Sequence, residues 1–354
     1  MINTDPIKLK NKDLFDIDLF FKKQFTGKYR YGRMGLFLWK IFKNPFQLGF
    51  VNLFKDDDKI IATTSITPKS LLINQKEVLA AEIGDTYTDP NYQGKGFFSR
   101  LINYSRNNAY ENGLKFVYGT PNNQSLPGYI KKANFGIIKS FDIRVLSLPI
   151  RVETVLKPRL GWFLSNIGDF LFNLFNRIYL FLISIFINTN ARYVVEECDT
   201  IPKDWDEFWS FACVNWNFIF NKDSKSLFWR YFQNPEKYVF LTVRSSDKLI
   251  GFCVYRILHD ESGTSLAIAD YLFLDQHSSA LNNCLKVIKS RALNLDVRSV
   301  FLWCDSSSPY YNLLRNNGFS NRSHIPLISY KDLLFEELNE IDEIHFVMAD
   351  SDNI

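Results

Sequence analysis

The chain has 354 residues, 46% of them hydrophobic and 23% charged, so it is long enough for two folded domains and too apolar to be disordered. A net charge of only +4 argues against binding to nucleic acid through phosphate neutralisation. Five scattered cysteines without a Cys-x-x-Cys pair, and four dispersed histidines, exclude a disulfide framework or a metal site of regular spacing.

Residues 84–113 carry the most specific pattern in the chain, which predicts a strand, a glycine-rich loop and a helix. The loop is Gln93-Gly94-Lys95-Gly96, and the apolar helical pattern begins at Phe97. The N–H groups of a first helical turn have no intrahelical partner, and the helix dipole favours an anion there. Glycines let backbone amides approach a diphosphate closely. The alternative is a pair of packing glycines in an ordinary strand–helix turn.

A second strand with the pair Asn122-Asn123 at its exit is followed by a short helix that contains Tyr129. On these residues, the chain resembles the GNAT superfamily of acyl-CoA-dependent N-acyltransferases over residues 50–145. The family's Gln/Arg-x-x-Gly-x-Gly/Ala signature corresponds to residues 93–96, with the first glycine one place early. The family's Asn, Ser and Tyr before a Gly-Phe or similar pair correspond to Asn122 or Asn123, Ser125, Tyr129 and Phe135.

The resemblance implies an α/β fold with a mixed sheet, and acetyl-CoA or another acyl-CoA as co-substrate, without a metal. It also implies a site at which strands four and five separate. There the backbone of Tyr87 and Thr88 would contact the pantetheine arm, and Tyr129 would protonate the departing thiolate. Alternatively, Tyr129 is a buried tyrosine whose hydroxyl caps a helix. The candidates for binding the co-substrate are Tyr87, Thr88, Gln93, Gly94, Lys95, Gly96, Asn122 and Asn123. The two asparagines could also hold the acceptor or a water.

Two carboxylates on the predicted fourth strand are candidates for the general base. Glu82 and Asp85 are three residues apart, so on a regular strand they point to opposite faces and only one can reach the acceptor. Glu82 lies nearer the usual position of the family's base, whereas Asp85 lies nearer the slot. Glu82 is preferred, and an exposed carboxylate at a strand edge is the alternative for each.

Residues 161–187 are strongly apolar and aromatic, but Asn, Asp and Arg residues interrupt every stretch long enough to span a bilayer. Because the polar residues keep one stripe, this segment is predicted to be helical and to pack between two domains. An amphipathic segment that lies on a membrane face is the alternative.

The chain also contains an internal repeat, which predicts one fold used twice. Residues 36–45 and 226–235 share a Trp, a basic residue, a Phe and an Asn-Pro pair in register, with Trp39 matching Trp229. Later, Asp85 matches Asp270. The predicted domains are residues 1–150, an apolar linker at 151–192, and residues 193–354.

The second copy lacks the glycine loop, since Ser278, Ser279 and Ala280 stand in its place. It is therefore predicted to keep the fold without binding acyl-CoA. The acceptor pocket is expected where the two domains meet, with Asp270 able to bind an ammonium. Aromatic residues of the second copy could offer stacking faces, although most of them are expected in its core: Trp205, Trp209, Trp216, Phe218, Phe220, Trp229 and Tyr231.

The sequence thus predicts a cytoplasmic N-acyltransferase that acts on the amine of a small molecule such as an amino sugar, with no nucleic-acid partner. A polar N-terminus without an apolar run predicts no signal peptide. Two alternatives remain: a non-catalytic acyl-CoA-binding or scaffold protein, and a tandem-domain transferase that takes an amino acid from aminoacyl-tRNA.

Overall fold

The computed structural model describes residues 5–10, 14–24, 34–151, six residues between 171 and 182, 192–260, 263–295 and 297–351. Strands and helices of the first copy follow the predicted order. The strands are β1 Ile7–Lys8, β2 Phe50–Asp56, β3 Lys59–Ile73, β4 Lys76–Thr88, β5 Phe116–Gly119, β6 Phe135–Ile137 and β7 Ile143–Pro149. The helices are α1 Leu14–Gln24, α2 Met34–Phe42, α3 Phe97–Glu111 and α4 Leu126–Lys132.

The second copy repeats this mixed pattern. Its strands, with two short ones near the end of the chain, are β8 Tyr193–Cys198, β9 Phe218–Phe220, β10 Val239–Ser245, β11 Lys248–Asp260, β12 Gly263–Phe273, β13 Ser299–Asp305, β14 Ser320–Ile325, β15 Ile328–Tyr330 and β16 Ile344–His345. Its helices are α5 Trp205–Ala212, α6 Ser224–Leu227, α7 Leu281–Asn294, α8 Pro309–Asn316 and α9 Leu333–Leu338. The predicted α/β class with two related mixed sheets is confirmed.

Each sheet contains strands from both copies. The first sheet has the order β1-β2-β3-β4-β5-β15-β6, with β9 beside β3 and β16 beside β9. The second has the order β14-β7-β13-β12-β11-β10-β8. Strand β7 therefore leaves its own copy to lie between β13 and β14, and β15 crosses in the opposite direction. This exchange ties the two sheets together. The predicted domain boundaries at residues 150 and 193 stay a prediction.

The two repeated motifs meet face to face. The indole rings of Trp39 and Trp229 stack with their centroids 4.2 Å apart and their planes 14° apart. The two motifs also make the same local bonds. The Asn44 side chain donates to the Lys40 carbonyl at 3.3 Å, and the Asn234 side chain donates to the Arg230 carbonyl at 3.1 Å. Equivalent residues thus form equivalent turns, so the repeat in the sequence is also present in the structure.

The apolar segment between the copies lies mostly outside the described residues. Its predicted packing between the domains therefore stays a prediction. Five of its described helical side chains are between 45% and 67% exposed: Leu171, Leu174, Phe175, Ile178 and Leu182. Within the described ranges, no helix has both the length and the apolar character needed to cross a membrane.

Candidate active site

Strands β4 and β5 separate in the middle of the first sheet. They pair in parallel only from Ala80 opposite Phe116 to Glu82 opposite Tyr118. Strand β4 then continues to Thr88, while β5 ends at Gly119. Beyond Glu82, β4 thus continues without β5 beside it. This leaves a slot between the two strands, at the place where the family resemblance predicts one.

A β-bulge on β4 changes which side chains face this slot. The register between β3 and β4 shifts between Thr63 and Ser65, and Asp85 adopts a left-handed φ of 46°. The Thr63 hydroxyl donates to the Asp85 carbonyl at 3.0 Å, which holds the bulge. Because a bulge adds a residue to one strand, it breaks the alternation of side chains. Glu82 and Asp85 both line one cavity, so the prediction that only one could face it is wrong.

Glu82 lies at the last paired position before the strands diverge. Its side chain is 5% exposed and forms an ion pair with Lys69 at 3.3 Å. The Ser351 hydroxyl donates to the other carboxylate oxygen at 2.9 Å. Ser351 lies at the far end of the chain, so the second copy fixes the orientation of a candidate base in the first.

Asp85 is held more tightly. Its Oδ2 atom lies 2.5 Å from the Lys40 ammonium, and the same oxygen accepts a hydrogen bond from the Ser65 hydroxyl at 2.6 Å. This oxygen is therefore committed to the protein, whereas the ion pair of Glu82 is longer.

Tyr129 lines the same cavity and is 4% exposed. Its hydroxyl lies 3.0 Å from the hydroxyl of Thr86, on the bulged part of β4. Its ring packs edge-on against Phe98 and Phe135, with centroids 5.2 Å and 5.3 Å away. These contacts fix the ring and place the hydroxyl at the slot. Thr86 was not among the sequence candidates, because a threonine in a strand carries no functional signal.

The cavity has a volume of about 450 Å³ and is lined by residues of both copies. The second copy contributes Arg230, Phe301, Trp303, Ile325 and Met348. Of the seven aromatic residues of the second copy that the sequence offered as stacking faces, six are at most 5% exposed and lie in the core: Trp205, Trp216, Phe218, Phe220, Trp229 and Tyr231. Phe301 and Trp303 occupy alternate positions on β13, and this spacing was the one sequence signal that could have revealed them.

Asp270 does bind an ammonium, but an internal one. It pairs with Lys222 at 3.0 Å and accepts a hydrogen bond from the Tyr231 hydroxyl at 2.7 Å. Burial opposes the charge of Lys222, but Asp270 and Asp350 raise the pKa of the ammonium. Lys222 therefore stays charged in the core, and Asp270 serves this ion cluster rather than an acceptor.

The glycine loop lies beyond the end of β4. Gly94 and Gly96 have positive φ angles of 77° and 84°, and a Cβ on either would meet no other part of the protein within 4 Å. Gly96 is the N-cap of α3, and no side chain caps this helix. The space above the loop and the first-turn amides are thus open to a ligand, as an anion site requires.

The other predicted binding residues have mixed surroundings. The Gln93 amide donates to the Thr88 carbonyl at 3.1 Å, which ties the loop to β4. The Lys95 ammonium lies over the Tyr92 ring, 4.9 Å from its centroid. The Tyr87 ring packs edge-on against Phe20 at 5.7 Å.

The two asparagines differ. Asn122 lines the cavity, but its side-chain oxygen accepts from the Ser125 amide at 2.9 Å and from the Gln124 amide at 3.0 Å. It therefore shapes the turn before α4. Asn123 is exposed and is not brought to the cavity.

The corresponding slot in the second copy is closed. The Tyr310 hydroxyl accepts from the Phe273 amide at 2.9 Å, at the end of β12. The Tyr271 hydroxyl donates to the Trp303 carbonyl at 3.0 Å, across from β12 to β13. Both side chains are at most 2% exposed, and burial raises the pKa of each phenol above its ordinary value. Neutral tyrosines thus fill the place that is open in the first copy.

The helix start in the second copy is occupied as well. A 3₁₀ segment, Asp275–Ala280, runs directly into α7. The Leu281 amide bonds to the carbonyls of Ser278 and Ser279, so this first-turn donor already has partners. Within the described residues, no group of three or more His, Cys, Asp or Glu side chains could hold a metal ion.

Residues 8–138 match the family model described as an acetyltransferase (GNAT) domain. A GCN5-related N-acetyltransferase from Anabaena variabilis is similar over 93% of this chain and 72% of its own, with 13% identity and a TM-score of 0.62. Saccharomyces cerevisiae N-myristoyltransferase with bound myristoyl-CoA is similar over 93% and 85%, with 12% identity and a TM-score of 0.61. No curated protein sequence matches the chain.

A tandem GNAT protein from the clavulanic acid biosynthesis pathway is similar over 93% of this chain and 98% of its own, with 9% identity and a TM-score of 0.60. Such low identities establish the fold and leave the substrate open. Two mixed sheets joined by exchanged strands define a duplicated α/β protein. Residues 8–138 thus match a GNAT acetyltransferase domain, and the chain as a whole has a fold similar to that of a tandem GNAT protein.

Proposed function

We propose that the protein is an N-acyltransferase that transfers an acyl group, acetyl in the simplest case, from acyl-CoA to the amine of a small molecule. The observation that carries this proposal is the difference between the two slots. The first is open, has an uncapped helix and two glycines beyond its strand, and contains Tyr129 and two carboxylates. The second is filled by Tyr271 and Tyr310. Five free thiols support a reducing compartment, and we therefore propose the cytoplasm as the place of the reaction.

In the proposed reaction, the amine nitrogen attacks the thioester carbonyl carbon, and the carbon–sulfur bond then breaks. Glu82 takes the proton that the amine loses, directly or through one water, and Tyr129 gives a proton to the departing thiolate. The acyl-CoA diphosphate binds at Gly94 and Gly96, and the pantetheine arm follows β4 along Tyr87 and Thr88. Positioning by the slot supplies the proximity that acyl transfer needs.

The direct test is to incubate the full chain with acetyl-CoA and a panel of amines, amino sugars among them, and to follow the free thiol of CoA. Amine-dependent thiol release, with an acylated product in the mass spectrum, is the expected result. Release without an amine would show only thioester hydrolysis and would contradict the assignment.

A second candidate function is non-catalytic binding of acyl-CoA. One observation favours it: both candidate bases lie in ion pairs with lysines, Glu82 with Lys69 and Asp85 with Lys40. A protein that binds CoA but releases no thiol with any amine would support this candidate.

Replacing Glu82 by glutamine is expected to remove the acidic limb of the rate–pH profile. The rate should fall towards low pH in the wild type, because a protonated carboxylate cannot accept the proton of the amine. Asp85→Asn is the matched comparison, since Asp85 lines the same cavity. If the limb persists in Glu82→Gln and disappears in Asp85→Asn, Asp85 is the base.

A further inference from the structure

The walls of the cavity between the two copies differ in chemistry. The β4 side is polar and carries Glu82, Asp85 and Thr86, with Tyr129 from α4 beside them. Together with the charged side chains of Lys40 and Arg230, apolar side chains from both copies also line the cavity: Phe37, Trp39, Phe301, Trp303, Ile325 and Met348. An acceptor whose amine reaches Glu82 can therefore place an apolar body against these apolar side chains.

Two of the apolar residues are tryptophans, and the indole ring of each stacks on another aromatic ring. Trp39 stacks on Trp229 at 4.2 Å between centroids. Trp303 stacks on Phe346 at 6.4 Å, with the planes 9° apart. These side chains are 4% and 6% exposed, so each offers only a small part of its surface to the cavity. The backing rings fix the orientation of both indoles, which makes them rigid surfaces against which a ligand can pack.

The volume agrees with a ring-bearing acceptor. Ligand pockets commonly have about 300–1,000 Å³ and are lined mostly by apolar and aromatic side chains with a few polar groups. The cavity of about 450 Å³ falls in this range, and apolar and polar side chains line it in similar numbers. A sugar would present some of its hydroxyls to Phe301, Ile325 and Met348, which offer no side-chain hydrogen-bond partner, whereas Arg230 is a donor that lines the same cavity. Buried hydroxyls without partners are unfavourable.

We propose that the acceptor is a primary amine attached to a flat, apolar ring system, which packs against Trp39 and Trp303 while its nitrogen reaches the Glu82 side of the cavity. This inference rests on the proposed N-acyltransferase function and names its substrate class. The second copy then supplies part of the specificity surface, in Phe301 and Trp303, in place of an acyl-CoA site of its own.

The test compares 2-phenylethylamine, hexylamine and glucosamine as acceptors at saturating acetyl-CoA, with thiol release as the readout. We expect kcat/KM to be highest for 2-phenylethylamine, lower for hexylamine and lowest for glucosamine. A preference for glucosamine would overturn the inference and leave the proposed function intact. Thiol release with none of the amines, in a protein that still binds CoA, would count against the function itself.

Substitutions in the second copy test which of its side chains bind the acceptor. Trp303→Ala is expected to lower kcat/KM for 2-phenylethylamine at least about tenfold, because aromatic anchors in buried pockets carry much of the binding energy. Trp303→Phe should recover part of the loss, and the KM for acetyl-CoA should not change in either variant. Phe211→Ala is the control, since Phe211 is a 59% exposed aromatic residue of the same copy outside the cavity.

The dependence of the rate on acyl-chain length distinguishes an acceptor pocket from a pocket for a long acyl chain. If the apolar walls hold a long acyl chain instead, octanoyl-CoA should be a better donor than acetyl-CoA, and Trp303→Ala should abolish that preference. This result would overturn the assignment of the walls to the acceptor. Phe301→Ala, at a partly buried position, provides the same tests if Trp303→Ala does not fold.

Discussion

Replacing Gly96 by valine is expected to lower the affinity for CoA at least about 100-fold while the chain stays folded, because two hydrogen bonds to a charged group are worth about 1.5–3 kcal/mol each. A valine Cβ at this position meets no protein atom within 4 Å, so its methyl groups occupy space that the proposed diphosphate needs. Isothermal titration of CoA into the variant measures the loss.

The positive φ of Gly96 adds a strain that any side chain would cause, and this strain needs its own control. Gly113 follows the other end of the same helix, with a φ of 80° and nothing within 4 Å of a Cβ. Gly113→Val should therefore lower the melting temperature to a similar extent and leave CoA binding unchanged. Equal CoA affinity in the two variants would contradict the assignment of the glycine loop.

Replacing Tyr129 by phenylalanine is expected to lower kcat by about 10²–10⁴-fold, the range typical of general acid catalysis. The ring contacts with Phe98 and Phe135 remain, so the fold and the affinity for CoA should change little. The loss should appear in kcat rather than in the KM for acyl-CoA, because the hydroxyl acts on the leaving thiolate.

Tyr110→Phe is the matched control for this variant. The Tyr110 hydroxyl is also hydrogen-bonded, since it donates to Asp332 at 2.6 Å, but Tyr110 does not line the cavity. Wild-type turnover in Tyr129→Phe, or an equal loss in Tyr110→Phe, would show that the Tyr129 hydroxyl is only structural.

The local elements of the first copy were predictable because short-range signals specify them. The glycines at 94 and 96 mark the loop, and the apolar spacing from Phe97 marks α3, which begins at that residue. The repeat was predictable as well, because Trp and Asn-Pro recur in register and are chemically distinctive. In the structure these residues form the Trp39–Trp229 stack and the two equivalent Asn turns.

Features that depend on distant pairing were not predictable. Nothing in residues 143–149 or 328–330 shows that these strands exchange between sheets, because a strand pattern does not name its partner. The bulge at Asp85 escaped for a different reason. Side-chain alternation assumes a regular strand, and one inserted residue reverses the parity. The contact of Ser351 with Glu82, across most of the chain, belongs to the same class of long-range feature.

The loss of acyl-CoA binding in the second copy is predicted from its missing glycines, and the structure adds a stronger reason to expect it. The sequence suggested crowding by Ser278, Ser279 and Ala280, a local effect. In the structure, Tyr310 bonds to β12 and Tyr271 bonds to β13, so aromatic side chains occupy the slot itself. Restoring glycines to the second loop would therefore not be enough to create a second site.

The stoichiometry of CoA binding decides whether the first copy alone binds acyl-CoA, as we propose. Isothermal titration of CoA into the wild-type chain should give one site per chain. A helix dipole alone contributes only about 0.3–1 kcal/mol, far below the roughly 8 kcal/mol of a micromolar site, so the second copy should add nothing. Two sites per chain, or one site that is retained in Gly96→Val, would contradict the account.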